Sequence, residues 1–162
     1  MYTERLKKYY KRNNPTEQSV MCSIIDRYPD LSIIRGKNIV NLKWCAKEYK
    51  GQNVLIVDIK NTNLTYNGRY RTTEFCFIHH SGKITWIDAK QAKTATNITD
   101  LHGEYDRATN NKQCTVFVVD GNGYSTNVIE AHETYLKKLN INDKIKIIPL
   151  AQIQNLTHTF FN

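Results

Sequence analysis

Phe75-Cys76-Phe77-Ile78-His79-His80-Ser81-Gly82-Lys83-Ile84-Thr85-Trp86-Ile87-Asp88-Ala89-Lys90 is the stretch on which the reading of this chain turns. Two runs rich in aromatic and β-branched residues flank a polar segment that contains a glycine. That pattern predicts a β-hairpin with arms at 75–78 and 84–87 and a turn at 79–83. Three charged residues stand where such a hairpin opens. Glu74 immediately precedes the first arm, and Asp88-Ala89-Lys90 closes the second. In an antiparallel pair the start of one arm lies beside the end of the other, and residues two apart share a face. Glu74, Asp88 and Lys90 are therefore expected to meet at one edge of a sheet.

Working outward, Asn14-Pro15-Thr16-Glu17 reads as a helix start, with Asn14 as N-cap, Pro15 in the first turn and Glu17 closing a capping box. Val20, Met21, Ile24, Ile25 and Tyr28 repeat at helical spacing until Pro29 stops them. Residues 33–49 read as irregular strand and turn material. Val54 to Ile59 is a short β-branched strand, and 60–73 is polar with a turn signal at Asn67-Gly68. Beyond the hairpin, Ile98, Leu101, Tyr105 and Ala108 mark one face of a helix. Cys114 to Val119 is an apolar strand of the buried type; Val128, Ile129, His132, Tyr135, Leu136 and Leu139 give a second amphipathic helix; Ile145 to Leu150 gives a last strand. Short links demand antiparallel pairing and helical crossovers demand parallel pairing. The expected fold is α/β, a mixed β-sheet flanked by helices with an αβββαβαβ core.

Composition narrows the function. A chain of 162 residues and 18.9 kDa suits one domain. Lys and Arg number 23 against 15 Asp and Glu, so the charge is 23 − 15 = +8, which points to a polyanion such as nucleic acid. No apolar run reaches the roughly 18 residues of a membrane span, and the first residues do not read as a signal peptide, so a cytoplasmic location is expected and no membrane partner. The four cysteines include no CxxC pair, which argues against a zinc ribbon or a redox motif.

Two carboxylates suit a hard divalent cation such as Mg²⁺, and a neighbouring ammonium can stabilise charge that grows on a phosphate. Glu74…Asp88-Ala89-Lys90, on a hairpin after an N-terminal helix and before an αβαβ run, resembles the PD-(D/E)xK nuclease superfamily, which includes restriction endonucleases and many Holliday-junction resolvases. The resemblance covers about residues 14–150 of a single nuclease domain spanning 1–162. It implies a restriction-endonuclease-like fold and Mg²⁺-dependent hydrolysis of DNA phosphodiester bonds. It also implies Glu74, Asp88 and the Ala89 carbonyl as metal ligands, Lys90 as the catalytic lysine, and Glu17 as a further acidic group from the first helix. Glu74 stands where the family usually has Asp, and Asp88 is the less frequent choice at its position.

Several features compete with this assignment. Val54-Leu-Ile-Val-Asp58-Ile59-Lys60 is a second apolar strand ending in Asp-x-Lys; the downstream motif is preferred because Asp58 has no acidic partner across a tight hairpin. The same three charges could form an ordinary surface ion pair, worth about 0–1 kcal/mol. His79-His80 reads as turn, with the two side chains diverging as neighbours do in extended chain, and His132 as a packing residue. For DNA contact the segment 60–71 stands out, with Lys60, Arg69, Tyr70 and Arg71, extended by Lys93. Arg5 to Arg12 is a basic stretch that reads as a solvated helix face or a phosphate-contacting arm. The expected partner is duplex or branched DNA and the expected assembly a homodimer, since cutting two strands needs two sites. A site-specific or restriction-type endonuclease leads, ahead of a junction-resolving nuclease and of a DNA-binding protein with a degenerate site.

Overall fold

The computed structural model describes residues 4–9, 14–59, 75–92, 113–121 and 126–152. Six strands form one mixed sheet in the order β1-β2-β3-β4-β5-β6: β1 Ser32–Arg35, β2 Val54–Val57, β3 Phe75–Ile78, β4 Ile84–Ala92, β5 Cys114–Gly121 and β6 Ile145–Pro149. β2, β3 and β4 pair antiparallel, while β1 with β2, β4 with β5 and β5 with β6 pair parallel. The helices are α1 Glu4–Lys7, α2 Pro15–Arg27, α3 Leu42–Glu48 and α4 Thr126–Leu139. This is an α/β architecture. Among the described residues no helix is long and apolar enough to cross a membrane.

α2 starts where the sequence marks it. The Asn14 side-chain oxygen accepts the Glu17 backbone N–H at 3.1 Å, and Pro15 occupies the first turn, where its missing N–H has no intrahelical partner to lose. It ends at Arg27 because Tyr28 precedes a proline, which disfavours helical backbone there. Val20, Met21, Ile24 and Ile25 face one side of the sheet and pack with Leu55, Phe75, Phe77, Ile87 and Ala89. The opposite side carries Ile56, Cys76, Ile78 and Trp86, covered by Ile39 and by Cys45 of α3. Period-two alternation thus sends Phe75, Phe77, Ile87 and Ala89 to the α2 face, and Cys76 and Trp86 to the α3 face. The hairpin turn is a three-residue loop: the His79 N–H donates to the Lys83 carbonyl at 2.9 Å, and Gly82 takes φ +96°, which a glycine adopts without a Cβ penalty.

Two expectations need correction. Residues 33–49 are ordered: β1, a 3₁₀ turn at Gly36–Asn38 and α3, which Asn41 caps through the Trp44 N–H at 2.8 Å. β1 and α3 therefore precede the antiparallel meander and add a sixth strand beyond the expected core. β4 does not close at Asp88-Ala89-Lys90. It runs on to Ala92, because β5 pairs with it without interruption from Thr85↔Cys114 to Ala92↔Gly121. The N-terminal segment includes α1, whose Glu4 and Lys7 face solvent as a solvated helix face would, while Leu6 is fully buried, Tyr9 packs on the core and Arg35 Nη2 donates to the Lys8 carbonyl at 2.8 Å. The expected helix at 98–108 lies outside the described residues.

Candidate active site at the open end of the hairpin

Register decides where the charged residues fall. Phe75 pairs with Ile87, so the described part of β3 ends one residue short of the level of Asp88. From that level β4 is flanked by β5 alone among the described strands, and Asp88 pairs with Phe117. Asp88 has the strand parity of Trp86, which places it on the α3 face, and its residue exposure is only 6%. A carboxylate this far from water is held by what surrounds it, since burying an ionised group without compensation is strongly unfavourable. Ala89 points the other way into the α2 core, and the Lys90 backbone continues the ladder opposite Val119.

The upstream Asp-x-Lys string comes to the same end of the sheet. Ile56 pairs with Cys76, and Cys76 with Trp86, so Ile56 and Trp86 are level. Asp58 and Asp88 each follow by two residues. β2 and β4 are both antiparallel to β3 and hence run the same way, so the two aspartates sit level, two strands or about 10 Å apart. Asp58 leaves β2 with φ +52°, a left-handed conformation that aspartate tolerates better than most residues. Ile59 then turns back into the core beside α3 and is 1% exposed.

Glu17 reaches this end from the other side. The Tyr28 ring at the C-terminus of α2 lies 5.0 Å from the Phe77 ring, which fixes the direction of the helix over the hairpin. Counting back eleven residues at 1.5 Å gives about 16 Å along α2, and four residues of β4 beyond Thr85 give about 14 Å, so Glu17 is near the level of Ala89 and Lys90. It is 3% exposed and belongs to the α2 layer. Glu17 and Asp88 therefore approach the same sheet end from opposite faces. The 33–49 reading concealed one more residue here. Arg35, which is half-buried, ends β1 opposite Val57, one residue before Asp58, and its guanidinium presents a Nε without a hydrogen-bond partner among the described residues.

Glu74 lies outside the described residues, as do Lys60, Arg69, Tyr70, Arg71 and Lys93. Among the described residues no group of three or more His, Cys, Asp and Glu side chains is placed to hold a metal ion. The donors the described residues bring to this end, Asp88 with Asp58 and Glu17 nearby, are all carboxylates. Their hardness fits Mg²⁺ rather than a thiophilic metal.

The histidines differ from expectation in one respect. His79 and His80 do not diverge. The turn backbone is not extended, and the rings lie 3.9 Å apart. His79 is buried against Tyr28 and Phe77, and burial, helped by His80 and Lys83, holds its pKa below the ordinary value. His132 is a packing residue, 3% exposed. No family model matches the chain, and comparison with curated proteins and with solved structures returns no similar protein.

Proposed function

We propose that this protein is a Mg²⁺-dependent endodeoxyribonuclease of restriction-endonuclease-like fold, acting on DNA as a homodimer in the cytoplasm. The observation that carries the reading is the position of Asp88: a buried carboxylate on a regularly paired central strand, at the level where the neighbouring hairpin arm begins. Phe75, the residue after Glu74 in the sequence, is paired with Ile87, the residue before Asp88. Lys90 follows on the same uninterrupted strand. In this reading Glu74, Asp88 and the Ala89 carbonyl hold the ion, and Glu17 adds negative charge from the α2 side. Bound Mg²⁺ would supply positive charge where the phosphate becomes more negative and would lower the pKa of a coordinated water. Lys90 would donate to a phosphate oxygen as its charge grows, and the apolar layers beneath Asp88 would limit water on that side. Lys60, Arg69, Tyr70, Arg71 and Lys93 would contact DNA outside the reacting bond, where phosphate contacts set position.

The test is cleavage of supercoiled plasmid with Mg²⁺ and with EDTA. Nicking or linearisation only with Mg²⁺ is expected. Asp88→Asn and Lys90→Ala should each abolish it while leaving DNA affinity largely intact, because both groups act on charge that develops in the transition state. Asp58→Asn should leave measurable activity. Cleavage in EDTA would refute the metal mechanism. An inactive Asp58→Asn beside a fully active Asp88→Asn would transfer the site to the upstream strand.

A further inference from the structure

At the opposite end of the sheet, the α3–β2 turn and the hairpin turn enclose a groove of about 370 Å³. Lys47 and Lys50 line one wall and His79, His80 and Ser81 the other, and none of the described residues lining it is acidic. The two walls are tied together. The Asn53 side-chain oxygen accepts the His80 backbone N–H at 2.8 Å and lies 3.2 Å from His80 Nδ1. His80 Nδ1 is therefore the donor in that contact, which leaves Nε2 as the ring nitrogen not engaged by Asn53. On the inner side the Ser81 N–H donates to His79 Nδ1 at 3.3 Å, and the Ser81 hydroxyl is 2.7 Å from the same nitrogen, so the His79 ring is held in place. Two lysines and two histidines thus line a concave space whose walls are held together by hydrogen bonds of the protein itself.

We infer that this groove seats a backbone phosphate of the nucleic acid, as a second contact remote from the cleavage site; the inference rests on the nuclease reading given above. Charge is the first argument, since cations without a lining carboxylate favour an anion. Position is the second. α3, which supplies Lys47, packs on the sheet face to which Asp88 belongs. Along β4 the groove at Gly82 is six residues from Asp88, about 20 Å. One strand of a duplex advances 3.4 Å per nucleotide, so the two contacts are about six base pairs apart. A single bound duplex can meet both.

The experiment measures anisotropy of a labelled duplex of about two helical turns, with Ca²⁺ in place of Mg²⁺ so that binding is read without cleavage. Wild-type protein is compared with Lys47→Gln/Lys50→Gln and with the charge-matched control Lys137→Gln/Lys146→Gln on α4 and β6. Both lysines of the groove are exposed, so their replacement leaves the core untouched. Losing two phosphate contacts should lower the salt slope by about 1.8 and weaken binding about 60-fold at about 0.1 M salt. The control pair should change binding several-fold less. Equal losses in the two pairs, or no loss in the groove variant, would overturn the inference while leaving the nuclease reading standing. Absence of duplex binding by the wild type would remove both. Inorganic phosphate is the remaining arm. If it raises the Tm of wild type but not of the groove variant, while the two bind duplex equally, the groove is a free-phosphate site and the nucleic-acid assignment is wrong.

Discussion

The contact between Tyr28 and Phe77 carries more weight than its size suggests, because with the Tyr28–His79 contact it places the C-terminal end of α2 at the turn end of the hairpin. Reversing the helix would take Glu17 some 16 Å away, to the hairpin turn. A double-mutant cycle tests it. Phe77 is fully buried and Tyr28 8% exposed, with ring centroids 5.0 Å apart and planes inclined by 31°. Phe77→Leu and Tyr28→Leu keep each position apolar, so repacking should cost under about 1.5 kcal/mol at each. Each single variant also loses the ring–ring contact, about 0.5–1.5 kcal/mol. The double variant loses that contact only once. Its destabilisation should therefore fall short of the sum of the singles by about 1 kcal/mol, which for a chain of this length is about 2–4 °C in Tm. Urea unfolding of the four proteins followed by far-UV circular dichroism gives the cycle. Additivity within about 0.3 kcal/mol would mean that the rings are not in contact. The placement of Glu17 away from the hairpin turn would then rest on the Tyr28–His79 contact alone.

All four cysteines are buried and free, and burial pushes the Cys45 thiol up to about 11, so native protein at neutral pH should react with almost no thiol reagent and unfolded protein with four equivalents. Rapid reaction of Cys45 in the native state would show that α3 is not seated as described. Burial lowers the pKa of His132 below 6.5, so below that pH the unfolded chain takes up a proton the folded chain refuses, and stability is present above about 6.5 and lost as pH falls. Tm should drop between pH 7 and 5.5, and His132→Gln should flatten that drop; an unchanged slope would assign the effect elsewhere, His79 being the next group of the same sign. A site-specific endonuclease should keep discriminating among duplex sequences at physiological salt, and strong preference for a four-way junction over duplex would give the junction-resolving function instead.

The hairpin, α2 and the buried strand at 114 were legible because each combines a clear period with punctuation. Gly82 permits the turn, and Asn14 and Pro15 open the helix that Pro29 ends. β1 and α3 offered no such signal. β1 has four residues of which only Ile33 is buried, and α3 buries a single side chain, Cys45, so no repeat emerges from either. The length of β4 was hidden for a different reason. Asp88-Ala89-Lys90-Gln91-Ala92 is polar enough to read as a strand exit, and only pairing with β5, brought in from more than twenty residues downstream, keeps it extended. The His79–His80 contact likewise depends on turn backbone, where the alternation of extended chain does not apply. The surroundings of Asp88 are decided by tertiary pairing of the same kind as the length of β4.

The same pairing changes the meaning of the two Asp-x-Lys strings. Along the sequence they compete, since each is an apolar strand that ends in the same three-residue pattern. In the sheet they do not compete, because β3 lies between them and runs against both. Strands β2 and β4 must then run parallel to each other, and Asp58 and Asp88 emerge at one level about 10 Å apart. Arg35 joins them from β1, because β1 is parallel to β2 and ends level with Val57. Carboxyl ends of parallel strands are where open α/β sheets leave a crevice for ligands. Here the antiparallel strand β3 separates β2 from β4 at that end. The acidic groups at this end are thus products of strand direction, and a motif search that ranks the two strings against each other separates residues that the fold brings to the same mouth.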